Sequence, residues 1–228
     1  MTISRIAAIL ALTISPALAA PPPPTAQRVR GTIAASDAQT LTVHQLDGTN
    51  VKLLVNADTH YAAVVASDLK AVQPGSFIGT ATKGFGAHMT ALEVVVFPPE
   101  LRGQGEGHYG WDKLPEAGGG TVASSMTNGT VQAPGTKLVA SSMTNGNIDA
   151  VSQKDGAQKN GALRITVTYK GGKKDIVVPP TTAIVAFKLA TAAIVKPGAP
   201  AFIVAIPSGA TLQAKFVAVG QDGVKPPM

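Results

Sequence analysis

Short stretches of alternating apolar and polar residues recur along the chain and predict β-strands. In the clearest of them, residues 163–170, the apolar residues Leu163, Ile165, Val167 and Tyr169 alternate with polar ones. A period of two places the apolar side chains on one face of a strand and the polar side chains on the other. Apart from one short helical turn within residues 66–72, the pattern predicts strands throughout. We therefore expect an all-β protein.

This strand-and-turn pattern occurs twice. The first copy comprises a strand at 41–43, turns at 47–48 and 74–75, and a strand at 91–96. The second copy repeats this order with a strand at 165–167, turns at 171–172 and 197–198, and a strand at 214–219. Each copy of a tandem repeat has to bury its own apolar face. We predict two tandem OB-like β-barrels of five to six strands, since closure removes exposed strand edges. An open sandwich is the alternative.

Changes in composition along the chain predict the domain boundaries. Residues 98–145 are rich in Gly, Pro and Ser. The heptapeptide ASSMTNG occurs at 123–129 and again at 140–146, where it ends one residue beyond this segment. The predicted division is a signal peptide at 1–20, a Pro-rich leader at 21–27, a first barrel at 28–97, a linker at 98–145, a second barrel at 146–222 and a tail at 223–228. The linker is expected either to be flexible or to form simple strands.

The first twenty residues have the features of a secretory signal peptide. Arg5 precedes an apolar run at 6–14, and Ala17-Leu18-Ala19 provides an A-x-A cleavage site. The run is short for a permanent membrane helix, although an N-terminal anchor is the alternative. We predict export to the periplasm or secretion, with membrane contact only through the signal peptide. The chain has no Cys, so a disulfide is excluded.

Positive charge is concentrated in the second half of the chain. Residues 21–145 contain eight Lys and Arg against nine Asp and Glu, whereas residues 146–228 contain ten against four. A basic domain can contact anionic glycans, lipid headgroups or nucleic acid. The alternative is that the lysines keep strand edges soluble and block strand addition. Lys170, Lys173 and Lys174 are the candidate ligand-binding residues here.

The linker holds the densest group of polar and aromatic residues. The candidate ligand-binding residues of this segment are Arg102, Glu106, His108, Tyr109 and Trp111. Trp111 can serve as a stacking platform while Arg102 binds an anion; alternatively Trp111 closes one end of a barrel. The segment also matches G-x-G-x-x-G at 105–110, but Pro-rich flanks leave no room for the strand and helix that a dinucleotide site requires.

Catalytic and metal-binding signatures are absent from the sequence. It contains no G-x-S-x-G motif and no close pair of carboxylates suited to glycoside hydrolysis. The four histidines, at 44, 60, 88 and 108, form no H-x-H or H-x-x-H pair. Aromatic residues make up 4% of the chain, too few for a nucleic-acid stacking surface. We predict a protein without enzymatic activity, cofactor, metal site or nucleic-acid partner.

The first copy has a characteristic set of strand and turn residues, namely Gly31, Ile33, residues 41–43, Asp47-Gly48, Val51, Leu53, Thr59, Leu69, Pro74-Gly75 and residues 91–94. In these residues it resembles the exported bacterial β repeat known as domain of unknown function 5666. The linker, with Phe97-Pro98, residues 102–108 and Trp111-Asp112, is similar to a block of uncharacterised proteobacterial periplasmic proteins. The resemblance implies a fold and a compartment without an activity. Some members are labelled metal-transporter permeases, which disagrees with the lack of spanning helices after the signal peptide.

Together these features predict a non-enzymatic periplasmic protein that binds or scaffolds components of the cell envelope. Its expected partner is an envelope protein or an anionic glycan. One alternative role is binding of an anionic envelope polymer through the basic second barrel. A second alternative is a periplasmic metal-handling accessory that would use the four histidines.

Overall fold

The computed structural model describes residues 25–84, 89–115, 121–133 and 162–226. Within them the chain forms one continuous set of thirteen strands and three single-turn 3-10 helices, at Leu69–Ala71, Pro99–Leu101 and Ala192–Ile194. The strands are β1 (Gln27–Ser36), β2 (Thr40–Gln45), β3 (Asn50–Leu54), β4 (His60–Ala66), β5 (Phe77–Lys83), β6 (Met89–Val96), β7 (Gly107–Pro115), β8 (Thr121–Val131), β9 (Leu163–Tyr169), β10 (Gly172–Val178), β11 (Ala183–Ala190), β12 (Pro200–Ser208) and β13 (Thr211–Gly220).

Strand pairing closes two small barrels. In the first barrel β1, β2, β3, β13 and β12 pair in that order, and β12 returns to β1. In the second barrel β8, β9, β10, β6 and β5 pair in that order, and β5 returns to β8. Each ring is closed by a short parallel contact, between β3 and β13 and between β10 and β6. The predicted all-β class with small OB-like barrels is confirmed.

Strands β4 and β11 join the two barrels. They pair antiparallel with each other, with Val64 opposite Phe187. On the outer side, β4 pairs in parallel with β13 of the first barrel, and β11 pairs in parallel with β6 of the second. The registers are equivalent in the two repeats, since His60 lies opposite Phe216 and Ala183 lies opposite Glu93. The repeats are therefore related by a pseudo-twofold axis near Val64 and Phe187.

The strands of each barrel come from both halves of the chain, which differs from the predicted arrangement of one barrel per half. The first barrel combines β1, β2 and β3 with the β12–β13 hairpin, and the second combines β8, β9 and β10 with the β5–β6 hairpin. Because the repeats present equivalent strand edges, either hairpin has the pattern needed to close either barrel. The crossing strands β4 and β11 carry the chain from one barrel to the other.

The segment predicted as a linker contributes two strands, β7 and β8. The first ASSMTNG copy, at 123–129, lies in β8, which is the first strand of the second barrel. The second repeat therefore begins before residue 146, its predicted start. The second ASSMTNG copy and the predicted signal peptide lie outside the described residues. Within the described ranges, no helix has the length and apolar character needed to cross a membrane.

Three apolar clusters stabilise the molecule. One fills the first barrel and includes Ile33 and Ile203, and a second fills the second barrel and includes Ile78 and Ile176. The third lies around the crossing strands and includes Phe187 and partly buried Phe97 and Trp111. The two barrels are consequently held together by a shared core as well as by strand pairing.

Two equivalent glycines allow the barrels to close. Gly31 on β1 and Gly129 on β8 each lie against the neighbouring strand, where a Cβ would overlap the carbonyl oxygen of His44 or of Thr168. Any side chain at these positions would push two paired strands apart. The same requirement in both barrels is a consequence of the duplicated fold.

Candidate functional site

The structure distributes the predicted site residues over three places. Glu106, His108, Lys170, Lys173 and Lys174 gather at the turn between β9 and β10, and we call them the hairpin cluster. The aromatic residues Tyr109 and Trp111 lie between the barrels. Arg102 lies on the outer surface of the second barrel.

The β9–β10 hairpin presents its lysines in different directions. Lys170 is at the exposed tip, followed by Gly171, whose φ of 100° permits the tight turn. Lys174 pairs with Val167, whose side chain fills the barrel, so Lys174 lies on the interior side at the barrel mouth. Lys173 pairs with Thr168 and lies on the outer side.

Strand β7 is attached to the second barrel where β9 ends. Only Thr130 and Val131 of β8 pair with β9, whereas the earlier residues of β8 pair with β7. At this junction the carboxylate of Glu106 accepts a hydrogen bond of 2.8 Å from the backbone N–H of Lys170. The ring of His108 stacks on that of Tyr169, with centroids 6.2 Å apart. The linker segment thereby becomes part of the barrel mouth.

His108 is the titratable group whose environment is most altered in the hairpin cluster. Its Nδ1 lies 2.9 Å from Oγ1 of Thr127, a fully buried residue of β8. Burial lowers the pKa of His108, and the positive charge of Lys174 lowers it further. Neutral imidazole is therefore favoured at pH 7.

The hairpin lysines have no acidic partners within ion-pair distance among the described residues. The carboxylate of Glu106 is hydrogen-bonded to the backbone N–H of Lys170. Asp175 follows Lys174 on β10 and accepts a hydrogen bond of 2.6 Å from the hydroxyl of Thr166. The mouth of the second barrel is thus a site of concentrated positive charge.

Trp111 belongs to a packed cluster between the barrels. The guanidinium carbon of Arg28 lies 4.2 Å from the centroid of its ring, and the ring of Phe202 lies 6.2 Å away. Asp112 pairs with Arg28 at 3.3 Å and with Arg30 at 2.9 Å. Burial lowers the pKa of Arg30, and Asp112 opposes that shift. These contacts connect β1 of the first barrel to β7.

Arg102 follows the short 3-10 helix at Pro99–Leu101 and extends along the outside of the second barrel. Its Nη1 donates a hydrogen bond of 3.0 Å to the hydroxyl of Thr130, and its Nη2 donates to the carbonyl oxygen of Gly75. The guanidinium carbon lies 5.9 Å from the ring centroid of Phe77. Arg102 is therefore held in position while its residue stays exposed.

The histidines lie on separate strands. His44 on β2 contacts the side-chain oxygen of Asn50 at 3.0 Å, His60 begins β4, and His108 lies on β7. His88 falls outside the described residues. In the part of the chain that the structure describes, no three His, Cys, Asp or Glu residues are placed to hold a metal ion together.

Several residues of these sites escaped the sequence analysis. Arg28 and Arg30 are predicted only as part of a strand, and Thr127 and Thr168 carry no motif. Alternation along β9 does place Thr168 on the polar face, so its position on the outer side of the barrel was predictable. Its pairing with Thr130 was not, because Thr130 comes from a distant part of the chain.

Comparison with protein-family models, with curated proteins and with solved structures finds no match to this chain. The resemblance to the exported β repeat therefore stays a prediction.

Proposed function

We propose that the protein is a non-enzymatic binding protein of the bacterial cell envelope, which holds an anionic polymer at the mouth of the second barrel. The proposal depends mainly on one observation. Lys170, Lys173 and Lys174 lie on one hairpin, and none of them has an ion-paired carboxylate among the described residues. Unpaired cations at one site raise the local concentration of an anionic ligand.

The surroundings of the lysines support a binding role. The stacked rings of His108 and Tyr169 flank the mouth and can contact the apolar face of a sugar ring. Closed barrels with tight hairpins provide a rigid base for such a site. The exported location follows from the predicted signal peptide and is part of the proposal.

The test is a binding titration of the protein lacking residues 1–20 with two fluorescently labelled anionic polymers, polyphosphate and polygalacturonate. We expect binding of at least one polymer to weaken steeply between 50 and 300 mM salt, since ions screen contacts at exposed charges. The variant K170Q/K173Q/K174Q is expected to bind at least about tenfold more weakly, a loss of about 1.4 kcal/mol.

A matched variant separates the site from the overall charge. K70Q/K188Q/K196Q removes the same number of charges at exposed positions away from the hairpin, and we expect it to lose less than about twofold in affinity, because exposed charges beyond a Debye length are largely screened. Equal losses in the two variants would mean that net charge alone drives binding. Absence of salt-dependent binding to either polymer would overturn the proposal.

A further inference from the structure

A row of side chains crosses the outer face of the second barrel below the hairpin. Phe77 on β5 pairs with Thr130 on β8, Thr130 pairs with Thr168 on β9, and Thr168 pairs with Lys173 on β10. Residues directly opposite each other on neighbouring strands share one face of the sheet. Arg102 lies over this row through its contacts with Thr130 and Phe77. We call these five residues the outer row.

Thr168 is the unusual member of the outer row. Its Oγ1 is buried, yet it has no hydrogen-bond partner among the described residues. A buried hydroxyl without a partner is unfavourable. On one side it is next to Thr130, which accepts from Arg102, and on the other it is next to exposed Lys173. An acceptor drawn in by the two cations would complete the hydrogen bonding of Thr168 once the side chains that cover its hydroxyl shift aside.

The directions of the donors distinguish between classes of anion. A planar carboxylate is best bound by the two parallel N–H groups of an arginine fork. In Arg102 both terminal nitrogens already donate, to Thr130 and to Gly75. The donors that remain are on three separate chain segments, namely Arg102, the hydroxyl of Thr168 and the ammonium group of Lys173. Donors that approach from several directions suit the oxygens of a tetrahedral group.

We infer that Arg102, Thr168 and Lys173 form a subsite for a tetrahedral oxyanion, and that the polymer bound by the second barrel carries phosphate or sulfate esters. This inference rests on the proposed function and specifies its ligand. Lys173 belongs to both the hairpin cluster and the outer row, so the two are continuous. The carboxylate nearest along this face, Asp175, is engaged by Thr166.

The experiment compares Thr168→Val with wild type, using polyphosphate, dextran sulfate and polygalacturonate as probes. Valine keeps the shape of threonine and removes the hydroxyl. We expect affinity for polyphosphate or dextran sulfate to fall about tenfold, as for a lost hydrogen bond to a charged group, while affinity for polygalacturonate changes less than about twofold. Tighter binding of polyphosphate would indicate a phosphate ester in the natural ligand, and tighter binding of dextran sulfate would indicate a sulfate ester. Thr32→Val, at an exposed position on β1, is the matched control.

The outcomes separate the two proposals. If K170Q/K173Q/K174Q abolishes binding while Thr168→Val affects all three polymers equally or none of them, the oxyanion subsite is wrong and the anionic polymer site stands. A preference of the wild-type protein for polygalacturonate would also overturn the subsite. If the wild-type protein binds none of the polymers, both proposals fail. Thermal unfolding of each variant verifies that it is folded.

Discussion

The two barrels have the same strand order but differently composed interiors. In the first barrel the equivalent positions on β1 and β12 are Val29, Ile203 and Ala205, all buried. In the second barrel they are Thr127 on β8 and Thr80 and Thr82 on β5, all fully buried. These threonines are satisfied locally; for example, Thr80 donates to the carbonyl oxygen of Glu93 at 3.2 Å.

Two of the loops that connect consecutive strands are also longer in the second barrel than in the first. In the first barrel, β1 and β2 are joined by residues 37–39, and β12 and β13 by residues 209–210. The corresponding connections of the second barrel are much longer, at 132–162 and 84–88. The second barrel also gains β7 and the hairpin cluster. Polar residues in a barrel interior and long connections between strands depart from what folding alone requires, and such departures mark functional regions. This difference favours the second barrel as the binding unit.

The largest effect is expected from cutting the chain between β8 and β9. A protease site inserted after residue 145 divides the protein into two fragments, each of which contains strands of both barrels. We expect the fragments to remain associated after cleavage and to separate only in denaturant. Size-exclusion chromatography measures this. Two independently folded fragments in native buffer would show that each half closes its own barrel.

Alanine at the two close-approach glycines should be strongly destabilising in both barrels. We expect Gly31→Ala and Gly129→Ala each to cost about 3 kcal/mol or more, because the added Cβ overlaps a carbonyl oxygen of the paired strand. Gly110→Ala on β7, where an added Cβ meets nothing within 4 Å, is the control and should be nearly neutral. Denaturant unfolding gives the values. A neutral Gly129→Ala would contradict the strand packing described for the second barrel.

Exchanging equivalent interior residues tests the difference between the barrels. Ile203→Thr removes apolar volume and buries a hydroxyl in the first barrel, and we expect a loss of about 2–3 kcal/mol. Thr80→Val removes a satisfied hydroxyl in the second barrel and should change stability by less than about 1 kcal/mol. Denaturant unfolding measures both free energies. Equal losses of unfolding free energy in the two variants would mean that stability depends as strongly on the buried threonines of the second barrel as on the apolar residues of the first.

The smallest effect concerns His108. Because burial and Lys174 lower its folded pKa below the ordinary value of 6.5, the unfolded chain binds the proton more readily. Its contribution to stability is therefore complete above pH 6.5 and is lost as the pH falls from 6.5 toward the folded pKa. We expect His108→Gln to lose less Tm than wild type between pH 7.5 and pH 5.0.

The groups that face His108 are Lys174 on β10, Tyr169 on β9 and Thr127 on β8. The same substitution at exposed His60 controls for the loss of an imidazole. Differential scanning fluorimetry across the pH range gives the slopes. If His108→Gln and wild type lose Tm equally, the lowered pKa of His108 is not coupled to folding.

Local pattern was sufficient to predict the turns, the duplication and many of the strands, although β7 and β8 lie in the segment predicted as a linker. Alternation along residues 163–170 gave β9, and the Pro-Gly pairs at 74–75 and 197–198 mark turns in the structure. Strands and turns depend on neighbouring residues in the chain, so a period-two pattern and a Pro-Gly pair predict them directly. Gly75 and Gly198 each have a φ of 86°, a conformation that glycine adopts readily. The lysine-rich hairpin was equally visible, because its residues are contiguous.

The sequence by itself therefore determined the class of fold, the repeated unit and the residues of the basic hairpin. Only the tertiary structure decided which hairpin closes which barrel: β12–β13 closes the first barrel and β5–β6 closes the second. It also decided that Trp111 packs against Arg28 and that Arg102 donates a hydrogen bond to Thr130. Contacts between residues distant in the chain are set by how the strands cross, and no local pattern encodes that.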